Sequence, residues 1–167
     1  MIFATVGTQL PFDRLLTALD SWAAAHPEVS VKAQTGRTDT RFPHMDCAEN
    51  LDHAAFNAAF ATARVIVAHA GMGSILSASE LGKPILLMPR RAAFGEHRND
   101  HQLDTAAEMT DLPNVTVVDQ AEDLGPTLDR ILARPISAEA GSATASAQLI
   151  ANLQSFIFAT PPQEPAA

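Results

Sequence analysis

The chain has 167 residues, 47% of them apolar, and a formal charge of −8. That length suits one domain with a full core, and the acidic balance argues against bulk nucleic-acid binding, which needs a basic face. A single cysteine, Cys47, excludes a disulfide framework and a cysteine metal set.

Ile2 to Val6 is an apolar run that reads as a buried parallel strand. No basic n-region or long apolar segment precedes it, so neither export nor membrane spanning is expected, and a reducing cytoplasm fits. Gly7-Thr8-Gln9-Leu10 is the following turn, and Pro11 stands near a helix start. Phe12, Leu15, Leu16, Leu19, Trp22 and Ala23 recur at helical spacing. Residues 29–33 predict a second strand, residues 35–44 a polar loop, and residues 45–48 a weak strand. A helix follows over about 53–63.

Val65 to Ala68 predicts the next strand, ending in His69-Ala70-Gly71-Met72-Gly73-Ser74. Ser74 is expected to open a helix over about 74–81, stopped by Gly82 and Pro84. Strand, glycine turn and helix start together make an anion site, because the first helical turn carries unpaired N–H groups and a partial positive charge. Gly71 and Gly73 let a phosphate approach the backbone without a Cβ in the way. The turn fits neither G-x-G-x-x-G nor G-K-[ST], which disfavours a hydride-transfer enzyme and a P-loop NTPase.

Residues 85–88 predict a strand and 89–98 a long loop of functional type. A helix runs from Asn99 or Asp100 to about 110, then a strand over 115–118 and a helix over 124–133. Strands alternating with helices imply a mostly parallel sheet with right-handed crossovers. The loops at 7–10, 69–74 and 89–99 all follow strands, so they meet at the sheet's carboxyl edge, where such sheets bind ligands. Beyond 135, residues 137–147 are small and polar. Leu149, Ile150, Leu153, Phe156 and Ile157 then form an apolar stripe, which predicts a C-terminal helix over 136–159 and a disordered proline-bearing tail over 160–167.

Several side chains could carry chemistry. His69 either hydrogen-bonds the backbone or faces a ligand. Glu80 is either a solvated glutamate or the acceptor of two hydrogen bonds from ribose hydroxyls, six residues after Ser74 on the second turn of that helix. Asn99 with Gln102 fits a helix cap and its reciprocal partner, which leaves Asp100 and Gln102 able to meet sugar hydroxyls. His97 and His101 are four apart, but no third ligand accompanies them and no metal site is expected. Arg90 and Arg91 suit either a diphosphate or open solvent. No two aspartates are two residues apart. The D-x-D arrangement that bridges a diphosphate through a divalent metal is therefore missing, and backbone amides must hold the diphosphate instead.

Four segments resemble one family. Val6-Gly7-Thr8-Gln9-x-Pro11-Phe12-Asp13-Arg14-Leu15, His69-Ala70-Gly71-x-Gly73-Ser74-Ile75, Glu80-Leu81-Gly82-Lys83-Pro84, and Pro89-Arg90 with Gly95-Glu96-His97-x-Asn99-Asp100-His101-Gln102 are similar to the glycosyltransferase family 28 C-terminal domain. The resemblance covers roughly residues 2–133 and is greatest to stand-alone members, the catalytic subunits of dolichol-linked GlcNAc transfer and of bacterial exopolysaccharide glucuronosyl transfer. It implies a Rossmann-like parallel sheet, the single donor-binding half of a GT-B enzyme, over residues 1–135. It also implies an inverting transfer from a UDP-sugar to a lipid-linked acceptor, with no cofactor. The donor would meet Gly7, Thr8, Gln9, Gly71, Met72, Gly73, Ser74, Glu80, Arg90, Asp100, His101 and Gln102, and His69 and His97 are the local candidates for acid–base work. The acceptor-binding half is missing from the matched region. The resemblance supplies it as a membrane-associated partner that recruits the chain to the cytoplasmic face. Two other functions remain open: a non-catalytic UDP-sugar-binding subunit that stabilises its partner, and a nucleotide-sugar epimerase.

Overall fold

The computed structural model describes residues 1–7 and 10–134. Thr8 and Gln9, the expected helix over 136–159 and the expected tail lie outside the described residues.

Six parallel strands form one sheet in the order β3-β2-β1-β4-β5-β6. They are β1 Ile2–Thr5, β2 Val31–Gln34, β3 Asp46–Ala48, β4 Val65–His69, β5 Ile85–Met88 and β6 Val115–Val117. The helices between them are α1 Asp13–Ala25, α2 His53–Thr62, α3 Met72–Glu80, α4 His101–Met109 and α5 Leu124–Ala133. β1 and β5 are buried along their whole length, as a strand covered on both faces must be.

Successive side chains point to opposite faces and so feed two cores. Ile2, Ala4, Val65, Val67 and Leu86 pack with Leu15, Leu16, Leu19 and Trp22 of α1 and Leu124 and Leu128 of α5. Phe3, Ile66, Ile85 and Leu87 pack on the other face with Phe60 of α2, Ile75 and Ala78 of α3, and Met109 of α4. Phe3 meets Phe56 edge-on, with ring centroids 5.3 Å apart. A fully buried aromatic of this kind carries a large share of the core's stabilisation.

The chain builds outward from β1 to β3 in one direction and from β4 to β6 in the other. The reversal falls between β1 and β4, which pair in register from Ile2 against Val65 to Thr5 against Ala68. A crevice opens beyond the carboxyl ends of two such strands because their connections leave to opposite sides. Gly7 follows one of them and His69 ends the other.

Some boundaries depart from the sequence reading. β2 begins at Val31 and not at 29, because the Val29 amide bonds the His26 carbonyl in a turn. α3 begins at Met72 with Gly71 as its N-cap, two residues before the expected Ser74. Gly71 takes the extended conformation there, and the first helical bond runs from the Ile75 amide to the Gly71 carbonyl at 3.3 Å. α4 begins at His101. Among the described residues no helix is long and apolar enough to cross a membrane.

Candidate functional site

A cavity of about 320 Å³ opens at this crevice. One wall is the end of β1 and the turn after it (Val6, Gly7, Leu10). The floor is the turn from β4 into α3 (His69, Ala70, Gly71, Met72). The far wall is the start of the β5 loop and the first turns of α4 (Arg90, His97, His101, Gln102, Thr105). No carboxylate is among these lining residues, although the whole chain is acidic.

The floor is a helix start. Among the described residues no side chain caps α3, and the amides of Met72, Gly73 and Ser74, in its first turn, have no intrahelical acceptor and carry a partial positive charge. Backbone and ring are close here. Gly7 has φ +74°, a conformation that favours glycine. A Cβ on Gly7 would come within 3.0 Å of His69 Cε1, and one on Gly71 would overlap the same imidazole. The two glycines thus make room for one ring. A Cβ on Gly73 meets nothing within 4 Å, so the protein's own packing makes no demand for glycine there.

His69 is held neutral. Burial, and then the nearby Arg90 charge, push its pKa down to about 4, against a smaller opposing effect from the Thr5 backbone. Its Nδ1 is buried and has no hydrogen-bond partner among the described residues, and the same is true of His97 Nδ1. The His97 and His101 rings meet edge to face at 4.5 Å.

Arg90 is nearly inaccessible to solvent. Its Nη1 donates to the carbonyls of Pro11 at 2.7 Å and Glu96 at 3.0 Å. Its Nη2 donates to Val6 at 2.6 Å and Leu10 at 2.7 Å. Burial lowers its pKa to about 10, against the attraction of Glu96, so it stays charged at neutral pH. Arg90 therefore holds the β1 loop to the β5 loop, and the four donors of its Nη1 and Nη2 are spent on carbonyls. Arg91, the expected second basic residue, has its Nη2 3.7 Å from the Asp119 carboxylate.

Gln102 is buried, and its Oε1 accepts the Arg90 backbone N–H at 3.1 Å. This overturns the expected reciprocal cap with Asn99. Asp100 is the N-cap of α4 and makes no side-chain cap bond, while Asn99 bonds the His101 ring. The β5 strand end competes successfully for the Gln102 carbonyl oxygen, which leaves its amide nitrogen as a donor at the cavity.

The structure brings Gly7, His69, Gly71, Met72, Arg90, His97, His101 and Gln102 to one cavity. Ser74 and Gly73 adjoin it on the first turn of α3 without lining it. Asp100 is exposed, and its carboxylate accepts the Ala92 amide at 2.8 Å. Glu80 is exposed at the far end of α3, about 12 Å along the axis from Met72 at 1.5 Å per residue. The helix ends at Glu80 and not at 81, and its earlier start makes Glu80 the ninth residue. Thr105 was missed by the sequence reading, yet it sits three residues after Gln102 and four after His101 on one helical face, which was the available signal.

The model of the glycosyltransferase family 28 C-terminal domain matches residues 1–154. The chain belongs to this family. No curated protein matches its sequence. Among solved structures, this family 28 domain is similar to the glycotransferase of kitacinnamycin, with a TM-score of 0.65, 21% identity, and coverage of 89% of this chain and 39% of that one. It is similar to MurG of Acinetobacter baumannii at a TM-score of 0.62 and 18% identity, covering 90% of this chain and 48% of that one. It is also similar to ALG13, at a TM-score of 0.58 and 16% identity, covering 89% of this chain and 93% of that one. The family 28 domain thus spans less than half of the first two and nearly all of the third. At these identities the likeness is one of fold, that of a GT-B C-terminal half.

Proposed function

We propose that this chain is the donor-binding, catalytic subunit of a glycosyltransferase. It would transfer a sugar of the glucuronic acid or GlcNAc type from a UDP-sugar to a lipid-linked acceptor in polysaccharide biosynthesis, with a membrane-associated subunit supplying the acceptor-binding half. The observation that carries this reading is the cavity at the strand-order reversal, floored by the first-turn amides of α3 and with no carboxylate among its described lining residues. Such a site favours a dianionic diphosphate and disfavours a cation.

The chemistry follows from the same groups. As the glycosidic bond to UDP breaks, negative charge grows on the diphosphate, and preorganised amides at a helix start stabilise it without reorganising. Attack of the acceptor hydroxyl from the opposite face inverts the anomeric carbon. His69, with a pKa near 4, is a neutral hydrogen-bonding group and a poor base at neutral pH. His97 is then the group on this chain for the base role, unless the acceptor-binding subunit provides one.

Two measurements test the reading. Calorimetric titration of the chain with UDP is expected to show one site, with uridine itself binding far more weakly. Co-expression with an acceptor-binding subunit, followed by incubation with UDP-sugars and a lipid-diphosphate acceptor, is expected to release UDP and glycosylate the lipid. UDP binding with no transfer for any donor would leave the non-catalytic subunit as the function.

A further inference from the structure

The loop from Pro89 to Arg98 carries His97 into the cavity, yet it has little regular structure. It holds one short 3-10 turn, Ala92–Phe94, which ends in the left-handed Gly95, and residues 93–95 are exposed. Hydrophobic burial does not fix this loop. Glu96 does, through five hydrogen bonds. Its Oε1 accepts Arg14 Nε at 2.8 Å, and its Oε2 accepts Arg14 Nη2 at 2.9 Å and the Arg91 amide at 2.9 Å. Its carbonyl accepts Arg90 Nη1 at 3.0 Å, and its own amide donates to the Arg91 carbonyl at 3.2 Å.

Arg14 follows the residues of the opposite wall in the chain. It lies in the first turn of α1, directly after the loop that follows β1, and its remaining donors reach the carbonyls of Asp119 at 3.0 Å and Pro89 at 2.9 Å. The pair is mostly sequestered, with side-chain exposures of 18% for Arg14 and 9% for Glu96. A side-on, two-point Arg–carboxylate contact fixes direction as well as distance. Neither residue lines the cavity.

We propose that Arg14 and Glu96 form a positioning pair that ties the two walls of the cavity together and sets where the His97 imidazole stands. This rests on the donor-site reading above. A supporting pair of this kind acts through the residue it orients, because a site group is only as well placed as the shell that holds it. Glu96→Gln keeps the shape and removes the charge. Arg14→Lys keeps the charge and removes the planar two-point contact, which an ammonium cannot reproduce.

The test is a double-mutant cycle with UDP as the probe, combined with NMR of the histidine side chains in the full chain. His97 lines the cavity, so His97→Ala is itself expected to weaken UDP about tenfold; Glu96→Gln should match that loss in the native background and add little once His97 is already alanine, the sign of two residues that act as a unit. The His97 ring resonances should move in Glu96→Gln, while those of His53, exposed on α2, stay in place. Arg14→Lys should give an intermediate loss in both measurements, and it carries the test if Glu96→Gln does not fold. Equal losses in the native and His97→Ala backgrounds would overturn the proposal, as would unmoved His97 resonances. If the native chain binds no UDP, the donor-site reading fails, and the His97 resonances still decide the pair.

Discussion

Gly71 lies so close to the imidazole of His69 that a methyl group on it would overlap the ring's Nε2 and come within 2.9 Å of its Cε1. Two residues further on, a methyl group on Gly73 would meet nothing within 4 Å. The two glycines of the turn therefore differ: packing against His69 requires glycine at 71 and makes no such demand at 73.

That difference gives a paired prediction. Gly71→Ala should displace the His69 ring and abolish UDP binding, with a visible change in the histidine spectrum of the free protein. Gly73→Ala should leave that spectrum intact and raise stability by up to about 1 kcal/mol, the helix-propensity gain of alanine over glycine. It should nonetheless weaken UDP, because the new methyl group stands where a phosphate approaches. Unchanged UDP affinity in Gly73→Ala would remove the α3 amides from the diphosphate site.

His69 also predicts a pH dependence. Its pKa is near 6.5 in the unfolded chain and about 4 in the folded one. Between those values the unfolded chain binds the extra proton, so stability must fall as pH drops from about 6.5 to about 4 and level off below. The full effect is on the order of 3 kcal/mol, at 1.36 kcal/mol per pKa unit. His69→Asn should flatten this part of the stability curve, measured by urea unfolding at a series of pH values. An Asn variant as steep as the native chain would show that His69 is not the group responsible.

Much of this was legible in the sequence. The order of strands and helices followed from apolar runs and helical spacing, and the meeting of three loops at one edge followed from each loop trailing a strand. Local signals also proposed bonds that the tertiary structure replaced. Ser74 looks like the residue that opens the helix, but Gly71 adopts the extended cap conformation and the helix begins two residues earlier, at Met72. Asn99 and Gln102 have capping-box spacing, yet the Arg90 amide reaches Gln102 first. Arg90 itself has the composition of a phosphate ligand. Its four carbonyl partners come from residues 6, 10, 11 and 96, and no local pattern announces contacts across so many positions. Arg14 and Glu96 are 82 residues apart and were hidden for the same reason.

The Arg90 network predicts a large stability effect. Arg90→Met leaves four carbonyl oxygens short of a donor in a partly dry interior, each costing on the order of 1–3 kcal/mol when unmade. The summed loss should be at least about 3 kcal/mol in urea unfolding. Arg90→Lys should recover less than half of it, since an ammonium cannot present the same planar fork. A loss within about 0.5 kcal/mol, the range for an ordinary surface substitution, would contradict the clamp.

Glu80 is exposed and stands at the opposite end of α3 from the cavity floor. Glu80→Ala should therefore leave UDP affinity within about twofold, the scale of a surface charge. A loss of about 1–3 kcal/mol for UDP, absent for a 2′,3′-dideoxy analogue, would instead restore Glu80 as the ribose acceptor.

Gln102 separates the diphosphate from the sugar. Its carbonyl oxygen is committed to the Arg90 amide, and its amide nitrogen is left to donate at the α4 wall, across the cavity from Gly7. Gln102→Ala should thus do two things. It should orphan the Arg90 amide, at a stability cost of about 1–3 kcal/mol, and it should change the ranking of UDP-sugars while leaving UDP itself nearly unaffected. Gln102→Glu restores an oxygen for the Arg90 amide but removes the donor, so it should recover stability and keep the altered sugar ranking. Competition binding of several UDP-sugars against UDP, alongside unfolding curves, reads both effects. If UDP falls as far as the UDP-sugars in Gln102→Glu, the side chain meets the diphosphate and not the sugar.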